Sequence, residues 1–403
     1  VKTDLTASFK NSATGQRADD ILRSCVHCGF CNATCPTYQL LGDELDGPRG
    51  RIYQIKQVLE GRPATTVLQT HLDRCLTCRA CETTCPSGVE YHKLLDIGRE
   101  LVEATVPRSH PQRLLRRLIL FTFGETRRAH LLFAAARLVR PLLPAKLRRR
   151  IPLANRPPRQ QKTSGSRRML LLDGCVQPAA APQINDAARA LFSRLGIELQ
   201  SVAQAGCCGT LHHHLGATEA GLDKARANID AWWPAVEQGS EAIVITASGC
   251  APMVKEYGEL LADDPVYAAR AERISALARD VSEVLEREDL SAFKAKTPQR
   301  VAFHSPCSLQ HAQQLNGVVE SLLTRLGYAL VPVRDAHLCC GSAGTYSIFQ
   351  PTLSSELRAR KLGALQDKHP DAIATANIGC LLHLQAEADV PVRHWLELLA
   401  SSV

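Results

Sequence analysis

A chain of 403 residues with 45% hydrophobic content can bury two or three cores of ordinary size, which excludes a disordered protein and a small disulfide scaffold. Its first twenty residues hold no apolar run of signal-peptide type, and no stretch of about 18 uninterrupted apolar residues occurs, so a secreted or membrane-spanning protein is not expected. The formal net charge of +8 is local: residues 107–168 hold 17 Lys and Arg against one acid, Glu125, and the remainder is mildly acidic.

Sixteen cysteines in a chain expected in a reducing compartment imply metal or redox chemistry, because thiols there do not settle into structural disulfides. After a polar tail (1–17), residues 18–105 carry Cys25, Cys28, Cys31 and Cys35 as C-x2-C-x2-C-x3-C-P, and Cys75, Cys78, Cys81 and Cys85 repeat the spacing. Helical patterns at 49–61 and 91–104 flank these runs, and no convincing strand is present, so an all-α domain is expected. Three thiolates on one tight loop can take three corners of a cube, and the Cys-Pro turn throws the fourth clear. In two-cluster ferredoxins of this spacing, the fourth cysteine crosses to the other cluster. The expected sets are therefore Cys25, Cys28, Cys31 and Cys85 for one [4Fe-4S] cluster, and Cys75, Cys78, Cys81 and Cys35 for the other. Zinc is the competing reading. It needs only two C-x2-C pairs per site, and two intact runs each closed by proline suit it poorly. Arg49, Arg51 and Arg79 are candidates to donate toward cluster sulfur, or ordinary surface arginines.

Residues 106–168 are basic and rich in proline, ending in NRPPRQQKTSGSRR, and read as a linker. Within them, RLLRRLILFTF and RRAHLLFAAARLVRPLLPAKLRRR set Arg among Leu, Phe and Val at helical spacing. That composition suits an interfacial helix on anionic lipid, or equally a connector whose arginines meet acidic patches on a partner. Nucleic acid is not expected, since interleaved aromatics are lacking and the rest of the chain is acidic.

The remaining sequence is duplicated, as 169–290 and 300–403. Cys175 precedes Cys207-Cys208 and Cys250 follows; Cys307 precedes Cys339-Cys340 and Cys380 follows. The offset is about 130 residues. Each copy reads as a strand (MLLLDGC, RVAFHSPC), a helix (INDAARALFSRLG, VVESLLTRLG), a Cys-Cys-Gly loop and a second strand (EAIVITASGC, DAIATANIGC). An α/β unit used twice is expected, with cysteines at strand ends where loops gather ligands. Gly209 and Gly341 permit the sharp turn that adjacent cysteines require. Four soft ligands per module suit iron–sulfur or zinc. The His212-His213-His214 run offers one useful member at most. His304 and His337, which neighbour cysteines, are expected to be satisfied loop histidines, with proton delivery as the functional alternative. No Ser-His-Asp set, P-loop or dinucleotide fingerprint appears, so no flavin is expected on this chain.

The phrases CVHCGFCNATCPTYQLLGDELDGPRGRI (25–52), CLTCRACETTCPSG (75–88), GCCG (206–209), ARANIDAWWP (225–234), TASGC (246–250), LQHAQQLNG (309–317) and CCGSAGTY (339–346) resemble the iron–sulfur subunits of bacterial glycolate oxidase, more accurately a glycolate dehydrogenase, over nearly the whole chain. The resemblance implies an electron-transfer subunit in a hetero-oligomer. FAD-containing partner subunits would oxidise glycolate to glyoxylate, and electrons would pass through this chain toward quinone, at the cytoplasmic face of the inner membrane. It also implies one or two further iron–sulfur clusters, or zinc, in the Cys-Cys-Gly modules. Such modules also occur in heterodisulfide reductase, anaerobic glycerol-3-phosphate dehydrogenase and lactate-utilisation subunits. In the heterodisulfide reductase relatives each ends C-x2-C and holds an unusual five-thiol cluster. Here Met253 and His383 stand at the last position, which argues against heterodisulfide chemistry and makes His383 either a candidate ligand or a packing residue. The alternatives are a catalytic reductase of the heterodisulfide type, a subunit for D-lactate or another 2-hydroxy acid, and a zinc-stabilised scaffold. No residue marks a 2-hydroxy-acid site.

Overall fold

The computed structural model describes residues 1–144, 148, 151–152, 165–295 and 299–401. Its N-terminal domain is all-α. Ser12 caps the helix Ala13–Ser24 by accepting from Gly15 N, and prolines open the helices Pro36–Leu41 and Pro48–Leu59, where a missing N–H costs nothing. Ala18, Ile21 and Leu22 pack with Ile52, Ile55 and Leu59 and with Leu94, Leu95 and Val102 of helix Tyr91–Thr105 in one core. Gly98 lets two of these helices meet: a Cβ there would lie 2.7 Å from Ile55 Cγ1. The first residues are not a loose tail. Leu5 is buried in this core, and Thr6 N donates to Leu59 O at 3.1 Å, because an apolar side chain closes the open end of the helix pair.

The basic segment carries two helices, His110–Phe123 and Thr126–Val139. Several of its arginines are spent inside the molecule. Arg108 pairs with Asp73 and Glu103, Arg116 reaches Asp73 and Leu215 O, and Arg137 donates to Ala179 O at 2.7 Å. The proline-rich stretch after it lies mostly outside the described residues.

Each C-terminal module is a four-stranded parallel sheet. The first runs β2-β1-β3-β4, with β1 Arg167–Leu172, β2 Ile197–Ser201, β3 Ile243–Ile245 and β4 Ala278–Asp280. The second runs β6-β5-β7-β8 in the same order, with β5 Arg300–His304, β6 Ala329–Leu330, β7 Ala372–Thr375 and β8 Val392–His394. Helices cover both faces, so the central strands read as continuous apolar runs such as Met169 to Leu172. The chain leaves β1 for β2 on one side and returns to β3 on the other, and a crevice opens at the carboxyl ends where that order switches. Cys175 and Cys250 follow β1 and β3; Cys307 and Cys380 follow β5 and β7.

The two modules share a core. Met169, Leu171 and Val244 belong to the same apolar cluster as Val301, Phe303, Ile373 and Trp395. Loops at the strand ends are bonded across the junction: Ser248 N to Ala376 O (3.1 Å), Gly249 N to Asn377 Oδ1 (3.3 Å), and His394 Nε2 to Thr246 O (3.1 Å). The duplication reaches the helix caps, where Glu283 accepts from Asp280 N at 2.7 Å and Glu397 from His394 N at 2.8 Å.

Because Trp395 is fully buried where the modules meet, Trp395→Ala is expected to cost about 3–5 kcal/mol. Proteolysis of that variant should expose both modules together; cleavage confined to the second would show that the cores are independent.

Candidate metal centres

Two cavities lie in the N-terminal domain. The first is lined by Cys25, Cys28, Cys31 and Cys85, with Cys81 also at its wall. The second is lined by Cys35, Cys75, Cys78 and Cys81. Pro48, Cys81 and Tyr91 line both. Each of the two expected sets of four is thus gathered on one cavity, the crossing Cys35 and Cys85 included.

Backbone geometry explains how three sulfurs converge from one loop. His27 and Gly29 have φ of 55° and 87°, and Thr77 and Arg79 at the matching positions have 52° and 58°. This left-handed conformation costs a non-glycine residue roughly 1–2 kcal/mol and turns the loop around the cavity. Thr77 N donates to Cys75 Sγ at 3.5 Å, and Tyr91 OH to the same sulfur at 3.6 Å. A Cβ on Gly29 would lie 2.6 Å from Arg49 Nη1, which would have to shift, whereas the Arg79 side chain at the matching position reaches Glu256 of the first module in a two-pronged pair of 2.6 and 3.1 Å.

The three arginines have different surroundings. Arg49 is held by Glu44 at 2.6 Å. Arg51 is fully buried, donating to His71 O (2.8 Å) and Thr37 Oγ1 (3.2 Å) beside Asp46, and lines the second cavity. Arg79 ties two domains together.

The Cys-Cys-Gly loops bring the other eight cysteines into two groups. Gly209 N donates to Cys207 Sγ at 3.5 Å, and Gly341 N to Cys339 Sγ at 3.4 Å. Gly209 and Gly341 have φ of 93° and 87°, and a Cβ on either would lie 2.6 Å from a carbonyl oxygen of the next helix, that of Gly221 or Ser354. In the first module Cys208 accepts from Cys207 and Cys250 and is held well below the ordinary thiol value, while Cys207 and Cys250 are pushed well above it. In the second, Cys307 and Cys339 sulfurs are 4.0 Å apart, and Cys340, Cys380 and a ring nitrogen of His304 lie within 4.8 Å of one another.

His304 is the residue the spacing motifs passed over. It is not a satisfied loop histidine but the buried last residue of β5. His383, the imidazole singled out by its motif position, has Nε2 3.3 Å from Ser354 Oγ. Met253 is buried in the apolar core of the first module. His337 contributes its carbonyl to His311. The His212–His214 run divides: His212 packs against Gly124 of the basic segment, His213 Nε2 lies 3.2 Å from Asp96 of the N-terminal domain, and His214 is half-buried, with desolvation pushing its value down to about 3.

None of the sixteen cysteines is in a disulfide. Burial, with neighbouring cysteines adding to it, pushes Cys31 up to about 11 and Cys78 and Cys81 well above the ordinary value. A bound metal reverses that balance by deprotonating the thiols it ligates. Converging soft donors in a nearly apolar cavity fit iron–sulfur groups.

Comparison with known proteins matches three segments of the chain. Residues 21–89 match the family model of a 4Fe-4S dicluster domain, and residues 169–255 and 301–385 each match a cysteine-rich domain. The chain is 51% identical to the glycolate oxidase iron-sulfur subunit of Escherichia coli K12, across 100% of its own length and 99% of the relative's. It is 31% identical to a probable glycolate oxidase iron-sulfur subunit of Bacillus subtilis, over 90% and 88% of the two chains. Lactate utilization protein A of Geobacillus kaustophilus is 32% identical over 52% of this chain and 87% of that one. Among solved structures, a hypothetical protein from Helicobacter pylori shares the fold with a TM-score of 0.56 at 11% identity, covering 97% of this chain and 72% of that one.

The Asp96–His213 pair gives a pH signature for the contact between the N-terminal domain and the first module. Burial disfavours the charged imidazole, but Asp96, with Glu256 and Glu100 beyond it, outweighs burial and raises His213. Burial of Asp96 is likewise outweighed by His213, with His214 and Arg99 also contributing, so its value falls. The pair's contribution is therefore complete below the ordinary histidine value of about 6.5 and above that of aspartate, about 3.9. It fades as pH rises through the raised value of His213. Asp96→Asn is expected to cost about 1.5–3 kcal/mol near pH 6 and much less near pH 9; thermal melts giving equal losses at both would contradict this.

Proposed function

The chain belongs to the glycolate oxidase iron–sulfur subunit family, and on that premise we propose that it conducts electrons from FAD-containing partner subunits, where glycolate is oxidised to glyoxylate, toward a membrane quinone. The observation that carries this reading is one apolar cluster spanning two domains. Leu76, Cys78 and Ala80 beside the second cavity pack with Cys339, Tyr346 and Leu357 of the second module, and Cys307 joins them. The two N-terminal cavities share Pro48, Cys81 and Tyr91, so three thiol sites adjoin.

When bound, [4Fe-4S] groups supply one-electron transfer at low cost in reorganisation. Cys25, Cys28, Cys31 and Cys85 would hold one, and Cys75, Cys78, Cys81 and Cys35 the other. The protein's own residues order the sites. At the first cavity Cys28 is exposed beside exposed Val26 and Phe30, an apolar patch on which a flavin subunit can dock. At the second, Cys78 and Cys81 are buried, and Arg79–Glu256 and Thr83–His311 pin the domain to both modules. Entry at the first site and onward passage through the second module follow from that difference in exposure. Glycolate itself is oxidised elsewhere, so the isolated chain should not turn it over.

The basic segment supports a place at the membrane surface. No helix among the described residues is long and apolar enough to cross a bilayer. Leu114, Leu118 and Phe121 form an exposed stripe on one helix, and Leu131 and Leu138 on the next are 72% and 82% exposed. Arg113, Arg117, Arg127 and Arg128 are exposed around them, with the Arg128 guanidinium 3.8 Å above the Phe121 ring. Apolar side chains flanked by arginines suit the headgroup region of an anionic bilayer, on the cytoplasmic face of the inner membrane.

In the reconstituted complex, Cys307→Ser with Cys339→Ser is expected to leave N-terminal reduction by glycolate intact and to abolish quinone reduction; unchanged quinone turnover would refute the route through the second module. Leu118→Glu with Leu131→Glu is expected to reduce cosedimentation with anionic phospholipid vesicles at least tenfold. Retained vesicle binding, or loss of flavin-subunit binding instead, would assign the stripe to a protein partner.

A further inference from the structure

The two modules are built alike, but their thiol sites are not. Aligned on Cys175 and Cys307, Leu172 at the end of β1 corresponds to His304 at the end of β5. Leu172 packs in the apolar core of its module. His304 is only 2% exposed, and neither ring nitrogen has a hydrogen-bond partner among the described residues. A buried imidazole with both nitrogens unmatched is costly, and the leucine of the first module shows that the position accepts an apolar residue.

One of those nitrogens lies within 4.8 Å of the sulfurs of both Cys340 and Cys380, which are equally close to each other. Zinc–sulfur bonds of about 2.3 Å and zinc–nitrogen bonds of about 2.0–2.1 Å set tetrahedral ligands roughly 3.5–3.8 Å apart, so inward shifts of about 1 Å bring the three donors onto one metal atom. The three come from separate parts of the module: the end of β5, the Cys-Cys-Gly loop and the helix after β7. Asn377 Nδ2 donates to Cys380 Sγ at 3.5 Å, an outer contact of the kind that orients a metal-bound sulfur.

We propose that His304 is a nitrogen ligand to a thiophilic metal centre in the second module, held together with Cys340 and Cys380, and that the first module, with Leu172 at this position, has an all-thiol site. The inference rests on reading the modules as metal-bearing. The centre is one ion or one iron of a cluster, and the shared chemistry is mixed thiolate–imidazole ligation. His383, whose Nε2 faces Ser354 Oγ, is not among these three converging donors.

The test uses the full chain purified anaerobically with ¹⁵N-labelled histidine, examined by pulsed EPR for nitrogen coupling to iron and by zinc-edge X-ray absorption for nitrogen bound to zinc. One of the two is expected to report a histidine nitrogen, which identifies the centre as a cluster or a single ion. The signal should vanish in His304→Leu, the residue that the first module carries, and persist in His383→Ala. Metal in the second module with sulfur neighbours only, or a nitrogen signal that survives His304→Leu, would overturn the assignment while leaving the module metal-bearing. If Cys340→Ser with Cys380→Ser loses no iron or zinc relative to the unaltered chain, the metal-bearing reading falls as well. The first measurement is made on the unaltered chain, so misfolding of a variant does not decide the matter.

Discussion

Groups of buried thiols that cannot all ionise in one dry pocket set the terms for the rest of the structure. Burial disfavours each thiolate, and each sulfur that loses its proton makes the next loss harder still, as the raised values of Cys31, Cys78 and Cys81 record. Only a shared cationic centre removes the conflict. The protein must therefore hold four soft donors together before the metal arrives. It does so with left-handed loop residues, N–H groups turned on sulfur, and prolines that end each cysteine run.

The same loops also set how the domains meet. Arg79 adopts the backbone conformation that wraps the second cavity, and its guanidinium grips Glu256 of the first module. Removing Glu256 would leave the largely buried Arg79 guanidinium uncompensated, which is costlier than the pair is worth. Cavity shape and domain contact are thus coupled through one residue. Leu76 and Cys78, on the same loop, enter the apolar cluster that Cys339 completes. Exclusion of water from the second cavity and continuity with the second module are one packing event.

Duplication supplied the C-terminal half with two identical sheet orders, two Cys-Cys-Gly turns and two matching acidic helix caps. Divergence then fell on polar positions near the sulfurs. Leu172 and His304, and Met253 and His383, occupy matching places. In the first module Asn228 bonds Cys207 O, and in the second buried Lys361 donates to Asp335 O at 2.8 Å. The frame is conserved between the modules because parallel strands and a shared core tolerate little change. The chemistry beside the sulfurs is freer, since each change there alters one ligand or one charge.

The sequence by itself determined what depends on near neighbours along the chain. The cysteine spacings, the helices Pro48–Leu59 and Tyr91–Thr105, the central strands β1, β3, β5 and β7, the duplication and the all-α plus twofold α/β class are all local patterns, and the family match and sheet topology agree with that class. The edge strands β2, β4, β6 and β8 were not legible, because strands of two to five residues take their definition from the neighbour they bond. Nor was the folded state of residues 1–17, which depends on where Leu5 finds a core. Motif position pointed to His383, three residues from Cys380, but the imidazole beside Cys340 and Cys380 is His304, at the end of a strand far earlier in the chain. Only tertiary structure decided that. A ligand's sequence spacing matters when it shares a loop with its neighbours, and ceases to matter when sheet packing brings strand ends and loops from distant parts of the chain to one point.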